Sequence, residues 1–481
     1  MDLSAFYNIV AGELRGSENT TTPRIAASLP ACPAAIASDV EDSVAAAQKA
    51  FPAWAGESYE TRTKLLEKFA DLYLSHGQDF CTLLAAETGR TVENAAVEVY
   101  WAAQWLRYPC WSLPVHHIPE DSLLIATAKY KIPEERIEDD TKVTIVTHEP
   151  LGLVAAICPW NFPLMIAIGK LAPAVATGNC VILKPSPFAP YTCLKLVELA
   201  QQIFPPSVMQ VLNGDNNLGS LLVKHPGIVK ISFTGSTSTG RQILRDAAPE
   251  MKLVTLETAG NNAAIILPDV DIKNTCDQLA GSLWFNAGQV CIAPRRLYVH
   301  QDIFEEFVQE LATVSAEAAR EWRSKIGPLQ NKSHFEKIRT CLADAEASGE
   351  KFAIGGSVAC DEGAMYVHPA IIVNPSPSSR LVQEETFGPV VTCHGYSTMD
   401  EAVKAANAVE TGLSATVYGK DLDLTARIAK QLDVGNVFIN GPPQPDPCVP
   451  FGGHKKSGLG VEYGMEGLLS FCQTKSIYMY K

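Results

Sequence analysis

From Gly152 to Glu257 the chain repeats one pattern: a short apolar run, a turn residue, then a segment with helical spacing of its apolar positions. The runs are GLVAAICP, CVILKPS, VMQVLNG and IVKISFTGS, and KLVTLE closes the series. Apolar runs that do not alternate suit strands buried on both faces, and strands separated by helices pair in parallel. Such repeats predict a doubly wound sheet with helices on both faces, whose ligands gather at the carboxyl ends of the strands.

A second series follows Gly260, with strands expected at AAIIL, RRLYVH, AIIVN, PVVTCHGY, LSATVYG and GNVFIN. Helices are expected around Asp302 to Arg320 and Met399 to Val409. At 481 residues the chain exceeds what one hydrophobic core normally serves, so this is read as a second α/β domain. The N-terminal region reads as helical, with apolar positions at helical spacing from Glu41 to Trp54 and from Thr61 to Phe80. Between Pro119 and Pro150 the text changes to LLIATAKYKI, EERIEDD and KVTIVTHEP, charged and rich in β-branched residues, which predicts a polar hairpin or meander. The tail SIYMYK is a strand candidate that would join it, and the exposed edges of such a ribbon call for another subunit.

Composition narrows the partners. A formal net charge of -14, with no dense Lys/Arg segment interleaved with aromatics, argues against nucleic acid. No apolar run is long enough to cross a bilayer, which argues against a membrane protein. The N-terminal stretch MDLSAFYNIVAGEL has neither the basic start of a signal peptide nor the acid-poor character of a transit peptide, so a cytoplasmic location is expected. The 13 cysteines form no C-x-x-C pair and no Cys/His cluster at zinc spacing, so they are read as reduced thiols and no metal is expected.

Four places carry chemistry. Cys291, in FNAGQVCIAPRR, has small neighbours in Gly288 and Ala293 and polar ones in Asn286 and Gln289; it is either a reactive thiol or one more buried cysteine. Glu257 puts a carboxylate at a strand's carboxyl end, where partial burial raises its pKa; a capping or ion-pair role is the alternative. In ISFTGSTSTG a strand enters a Gly/Ser/Thr turn and then a helix near Arg241, which leaves backbone N–H groups for an anion or makes an ordinary N-cap. Lys184, in LKPSPFAP, stands just past another strand, as a ligand contact or as a solvated lysine. The nearest approach to G-x-G-x-x-G, GLGVEYG, has a last gap one residue too long and no strand before it, so it is not read as a dinucleotide fingerprint.

Taken together, PWNFP (Pro159 to Pro163), FTGS (Phe233 to Ser236), Glu257, FNAGQVC (Phe285 to Cys291), EETFGPV (Glu384 to Val390) and PFGGHKKSG (Pro450 to Gly458) resemble the aldehyde dehydrogenase superfamily, in that family's order and over nearly the whole chain. The resemblance implies an α/β fold in three parts. A Rossmann-like NAD(P)-binding domain without the glycine fingerprint would take residues 1–120 and 148–256, and an α/β catalytic domain residues 257–445. An oligomerisation β-ribbon would take residues 121–147 and 468–481, giving a homodimer or homotetramer.

For the chemistry, the resemblance implies that the Cys291 thiolate adds to an aldehyde, that hydride leaves for the nicotinamide, and that Glu257 activates the water that hydrolyses the resulting thioester. Asn161 and the Cys291 backbone N–H would hold the oxyanion. Lys170 and Glu462 would relay protons behind Glu257, with a structural ion pair as the alternative. The expected cofactor is NAD, with NADP left open. Lys184 and Ser186 would lie near the adenine ribose, Ser236 and Trp160 at the pyrophosphate, and Glu385 and Phe387 at the nicotinamide end. Ile157, Pro187, Gly214, Phe233, Gly235, Thr239, Gly240 and Thr258 would complete that site. Phe162, Met165, Gly169, Trp284, Val290, Ile292 and Cys448 would line the substrate pocket.

Three departures qualify the resemblance. Pro187 stands where many NAD-preferring members have an acidic residue. The usual ELGGK is ETAGN, which sets Thr258 and Ala259 beside the base and points to slower turnover. Gly169 replaces a large side chain, which predicts room for a substituted or aromatic aldehyde unless Phe162, Trp284 or Met165 fills the space. The overall wording resembles fungal and bacterial members of biosynthetic or detoxifying type. The competing functions are a phosphorylating or CoA-acylating relative, which Glu257 disfavours, and a catalytically silent homologue, which Cys291, Asn161 and Glu257 together disfavour.

Overall fold

The computed structural model describes residues 1–21, 29–107, 132, 134–356, 360, 361 and 363–481. Five strands run parallel at the centre of an eight-stranded sheet, in the spatial order Met209–Val211, Cys180–Lys184, Leu153–Ile157, Lys230–Thr234 and Leu253–Glu257. Every residue of the Leu153–Ile157, Cys180–Lys184 and Lys230–Thr234 strands is buried, the physical meaning of their unalternating apolar runs. Antiparallel strands close the edges: Asn8–Val10 with Glu13–Arg15 on one side and Gly458–Leu459 on the other. The N-terminal stretch screened above for targeting signals is therefore a hairpin that extends this sheet.

The chain travels outward from Leu153–Ile157 through Cys180–Lys184 to Met209–Val211, then crosses back to Lys230–Thr234 on the opposite side of its starting strand. That reversal opens a crevice beyond the carboxyl ends of Leu153–Ile157 and Lys230–Thr234, the place where open α/β sheets bind ligands. PWNFP leaves the first strand there and TGSTSTG the second.

Helices at Ala37–Gly56, Tyr59–Ser75, Gly77–Thr88 and Val92–Arg107 make up the N-terminal region. The single helical stretch expected from Thr61 to Phe80 is two helices broken at His76, whose φ of -102° and ψ of 14° leave helical geometry. The apolar period runs on across the break because Leu66, Phe69, Tyr73, Phe80 and Leu84 enter the same core. Arg62 ties this region to the sheet's helices, its buried Nε donating to Ala176 O at 2.8 Å.

The second sheet has seven strands in the order Lys351–Ile354, Ala370–Val373, Val390–Tyr396, Pro294–His300, Asn262–Ile266, Ser414–Tyr418 and Asn436–Ile439. All neighbours pair in parallel except the Lys351–Ile354 edge. Helices fall at Phe304–Arg320 and Met399–Asn407, close to the expected positions, and a helix at Lys332–Ala347 was not foreseen.

A three-stranded antiparallel ribbon joins Glu135–Glu138, Lys142–Pro150 and Cys472–Tyr480. The terminal strand thus begins at Cys472, earlier than SIYMYK suggests, and Tyr478 and Tyr480 on it are exposed. Residues 119–131 and 133, which hold LLIATAKYK, lie outside the described residues. Among the described residues no helix is long and apolar enough to cross a membrane.

Candidate active site

Two adjoining cavities occupy the crevice. The larger, about 720 Å³, is walled by Ile157, Trp160, Lys184, Ser186, Pro187, Phe233, Gly235, Ser236 and Thr239, among others. The smaller, about 210 Å³, shares Trp160, Gly235 and Ser236 with it and adds Asn161, Thr258, Cys291, Glu385 and Phe387. A path thus leads from Lys184 to the Cys291 thiol.

At the larger cavity, Ser236 caps the Thr237–Ala247 helix, its side chain accepting from Thr239 N–H at 3.2 Å. The other N–H groups of that first turn have no intrahelical partner, and the helix dipole favours an anion there. Gly235 has no room for a side chain, since a Cβ would stand 2.5 Å from the Phe233 ring; its N–H donates to Glu257 O at 3.0 Å and ties the turn to the Leu253–Glu257 strand. Two predicted cofactor contacts are not wall residues. Gly214 acts through its carbonyl, which accepts from Lys184 Nζ at 2.8 Å. Gly240 is a packing position, where a Cβ would meet Thr258 Cγ2 at 3.1 Å. Burial draws the Lys184 ammonium down to about 8.

At the smaller cavity, Trp160, Phe387 and His334 form an aromatic cluster, with Trp160 5.5 Å from each of the other two rings. Phe387 has a left-handed φ of 55°, and its carbonyl accepts from His334 Nε2 at 2.7 Å. Burial holds His334 down to about 4, so it is neutral near pH 7. Burial pushes the Glu385 carboxyl up to about 7, opposed by the Gly260 N–H that reaches its Oε1 at 3.0 Å and by Arg295 and Lys337. His334 and Lys337 line this cavity and sequence reasoning missed both. Their signal was local: Asn331 caps their helix, accepting from His334 N–H at 2.9 Å.

Cys291 follows a tight turn in which Asn286, Ala287 and Gly288 have φ of 52°, 53° and 68°. Side chains hold the carbonyls of this loop. Asn262 Nδ2 donates to Cys291 O at 2.7 Å and to Ala293 O at 2.9 Å, and Arg295 donates to Gly288 O and, at 2.9 Å, to Gly388 O. Gln289 donates to Asn286 O at 2.8 Å and accepts from Gln330 N–H at 2.9 Å. The polar pair upstream of the thiol is thus scaffolding. Asn161 joins it, Nδ2 donating to Gln289 O and its own carbonyl accepting from Asn286 Nδ2, both at 3.1 Å. Burial, then Glu257 and Glu385, push the thiol well above its ordinary range, so Cys291 rests protonated near pH 7.

Glu257 is buried at the end of its strand, and its Oε1 has no hydrogen-bond partner among the described residues. Burial, reinforced by Glu462, raises it well above the carboxylate range, while Lys170 opposes. Lys170 Nζ pairs with Glu462 Oε1, and the Ser232 hydroxyl lies 3.1 Å from that Nζ and 2.9 Å from that oxygen. Among the described residues Glu462 Oε2, like Glu257 Oε1, is buried without a hydrogen-bond partner. Ser232 went unread because it stands in the middle of a strand of wholly buried residues.

On the substrate side the structure corrects two expectations. Trp284 turns into the second domain's core and donates to Ser315 Oγ at 3.0 Å, because the Ile272–Trp284 helix ends at that residue and the chain reverses. Phe285 instead stacks on Phe162, with ring centroids 6.1 Å apart. The space expected beside Gly169 is filled, since a Cβ there would lie 2.9 Å from Tyr463 Cε1 and 3.2 Å from Trp105 Cδ1. Those two rings, and not Phe162, Met165 or Trp284, take up the missing bulk. Ile292 and Cys448 are buried in the first core, and Met165, Val290 and Cys291 are each partly buried at its edge. Thr258 and Ala259, the departures next to Glu257, are tied to the loop after Pro450: Thr258 Oγ1 donates to Lys456 O and Ser457 Oγ to Ala259 O, each at 2.6 Å. Among the described residues no His/Cys/Asp/Glu group could hold a metal ion.

Comparison with known proteins agrees with this geometry. The aldehyde dehydrogenase family model matches residues 13–477. Aldehyde dehydrogenase LUC3 of a Fusarium species is 59% identical over 485 residues, covering 100% of each chain. A mutant of aldehyde dehydrogenase C from Pseudomonas syringae, solved with NAD+ and octanal, is 30% identical with a TM-score of 0.90, covering 98% of this chain and 96% of that one. An NADP-dependent enzyme of E. coli is 29% identical with a TM-score of 0.91, covering 100% and 99%. On the family match over nearly its whole length, the chain belongs to the aldehyde dehydrogenase family.

Proposed function

We propose that this protein oxidises a small aldehyde to the carboxylic acid with NAD+, through a thiohemiacetal and then a thioester on Cys291. One observation carries the reading: a thiol and a neutral amide share a small cavity at the end of a larger one, with a buried carboxylate on the strand behind. The larger cavity suits NAD through the first-turn N–H groups after Ser236, the glycine at 235 and the Lys184 ammonium. NAD, when bound, accepts the hydride. The NAD+ bound to the Pseudomonas syringae relative supports that choice. Pro187 brings no carboxylate to that wall, and NADP is the alternative cofactor, as the E. coli relative's dependence illustrates.

The Cys291 thiol gives its proton to water in the cavity, and the thiolate adds to the carbonyl carbon. Asn161 Nδ2 and the Cys291 N–H receive the oxyanion, and Asn161, being uncharged, leaves the thiol's acidity alone. Once the thioester has formed, Glu257 takes a proton from water, which attacks the acyl carbon and releases the acid. The proton then passes toward Glu462, Lys170 and Ser232, whose buried cluster stands behind the base. A buried base of this kind favours hydrolysis over transfer of the acyl group to CoA, and it has no use in a silent homologue. The role is biosynthetic or detoxifying, and reduced thiols at the described cysteines suit the cytosol.

We also propose a homodimer or homotetramer assembled through the ribbon, where Ile477, Tyr478, Met479 and Tyr480 are exposed on the terminal strand. Light scattering at micromolar concentration is expected to give a multiple of the chain mass, and a monomeric mass contradicts it.

Glu257→Gln keeps the side chain's shape and removes the base. Mixed rapidly with aldehyde and NAD+, it is expected to give a burst of about one reduced nicotinamide per active site and then a slow steady rate. Absence of the burst, with rescue as pH approaches about 8.5, would assign Glu257 to thiol deprotonation.

Lys184 supplies a pH test. Its ammonium is charged below about 8 and loses a donor above it, so NAD+ affinity is expected to hold from pH 6 to 7.5 and to weaken as pH rises through that value. Titration calorimetry on the protein and on Lys184→Met checks this: the variant is expected to bind weakly at every pH, with no such fall.

A further inference from the structure

A buried ion pair in the N-terminal helices lies outside the chemistry above. Arg90 and Glu98 have side chains 1% and 0% exposed, joined from Nη2 to Oε2 at 2.5 Å. Burying two charges is costly, so a fully desolvated pair invites the question of what it holds. Glu98 Oε1 accepts from Leu164 N–H at 2.9 Å and from Met165 N–H at 3.1 Å, in the first turn of the Pro163–Ala176 helix. That helix has no side-chain cap of its own, because Phe162 occupies the capping position. A carboxylate from another element therefore caps it, and the residue just before Phe162 is Asn161.

Arg90 reaches the same loop from the other side. Its guanidinium stands 5.5 Å from the centroid of the Phe162 ring. Phe162 stacks on Phe285 at 6.1 Å, with 28° between the ring planes. The next residue, Asn286, donates to Asn161 O at 3.1 Å and opens the turn that leads to Cys291. The pair therefore holds both loops of the site: PWNFP through the helix cap, and the cysteine loop through Phe162 and Phe285.

We propose that Arg90 and Glu98 are positioning residues that set the Asn161 amide against Cys291, so that the oxyanion forms already facing its donor. The proposal rests on the reading of Asn161 as that donor. Neither residue lines either cavity, so neither is a catalytic residue. Small displacements of an oriented group cost rate far more than affinity; an error of about 1 Å can cost about 10²-fold.

The test compares Glu98→Gln, which keeps a capping oxygen and removes the charge, with Asn161→Ala and the unaltered enzyme. Stopped-flow is read for the rate of the first turnover of reduced nicotinamide, and fluorescence titration for NAD+ affinity. Asn161→Ala is expected to slow the first turnover by about 10²–10³-fold. Glu98→Gln is expected to slow it by about tenfold or more, with NAD+ affinity within about twofold of the unaltered enzyme. Where Glu98→Gln does not fold, Phe162→Leu replaces it; this variant leaves the ion pair intact, removes the ring between the two loops, and is expected to show the same slowing. If Asn161→Ala turns over normally, the oxyanion reading itself fails. If Asn161→Ala is slow while the folded Glu98→Gln or Phe162→Leu matches the unaltered enzyme, the positioning role alone is overturned. Parallel loss of NAD+ affinity and first-turnover rate would likewise overturn it, since that marks general loosening of the domain.

Discussion

Where Leu153–Ile157 pairs in parallel with Lys230–Thr234, the chain's direction of travel across the sheet reverses. The loops leaving those two strands part at that point, and the gap between them becomes the crevice. PWNFP brings Asn161 and Trp160 into it from one strand, and the Ser236-capped helix turns its first N–H groups toward it from the other. Glu257 ends the neighbouring strand in register with Thr234. A carboxylate, an amide and a helix N-terminus thus arrive together through backbone pairing, before any side chain has chosen a partner.

The second sheet completes the site by supplying the thiol. Its loop has little regular structure, and its shape is kept by Asn262, Arg295 and Gln289, whose side chains take up its carbonyls one by one. Gly260 has no space for a Cβ, which would run into the Cys291 carbonyl. The burial that fixes the loop also keeps the thiol protonated, and Glu257 and Glu385 add to that effect. Burial likewise raises the Glu257 carboxyl, with Glu462 adding to the effect and Lys170 opposing it.

The parallel strands of both sheets were legible because a strand buried on both faces has to be written in apolar residues, and turn residues mark its ends, whereas the antiparallel edge strands Asn8–Val10, Glu13–Arg15, Gly458–Leu459 and Lys351–Ile354 carry no such run. Cys291, Glu257 and Asn161 were legible as residue types in a familiar order. Contacts between distant parts of the chain left no such mark. Nothing near Gly169 shows that Tyr463 and Trp105 fill its space, since neither is close in sequence. Trp284 and Phe285 are adjacent aromatics of similar character, and only the helix end between them decides which one stacks on Phe162. Ser232, His334 and the Arg90–Glu98 pair act through side-chain geometry at positions where the local pattern would accept many residues.

The central claim is a covalent acyl group on one particular cysteine among many. Glu257→Gln enzyme mixed with aldehyde and NAD+, quenched in acid within the first turnovers and digested, permits mass measurement of each cysteine-bearing peptide. The account predicts that the peptide containing Cys291 gains the mass of the aldehyde less two hydrogens, and that this gain is absent without NAD+ and absent from Cys291→Ala. An unmodified Cys291 peptide while reduced nicotinamide accumulates, or the same gain on a different cysteine, would contradict it.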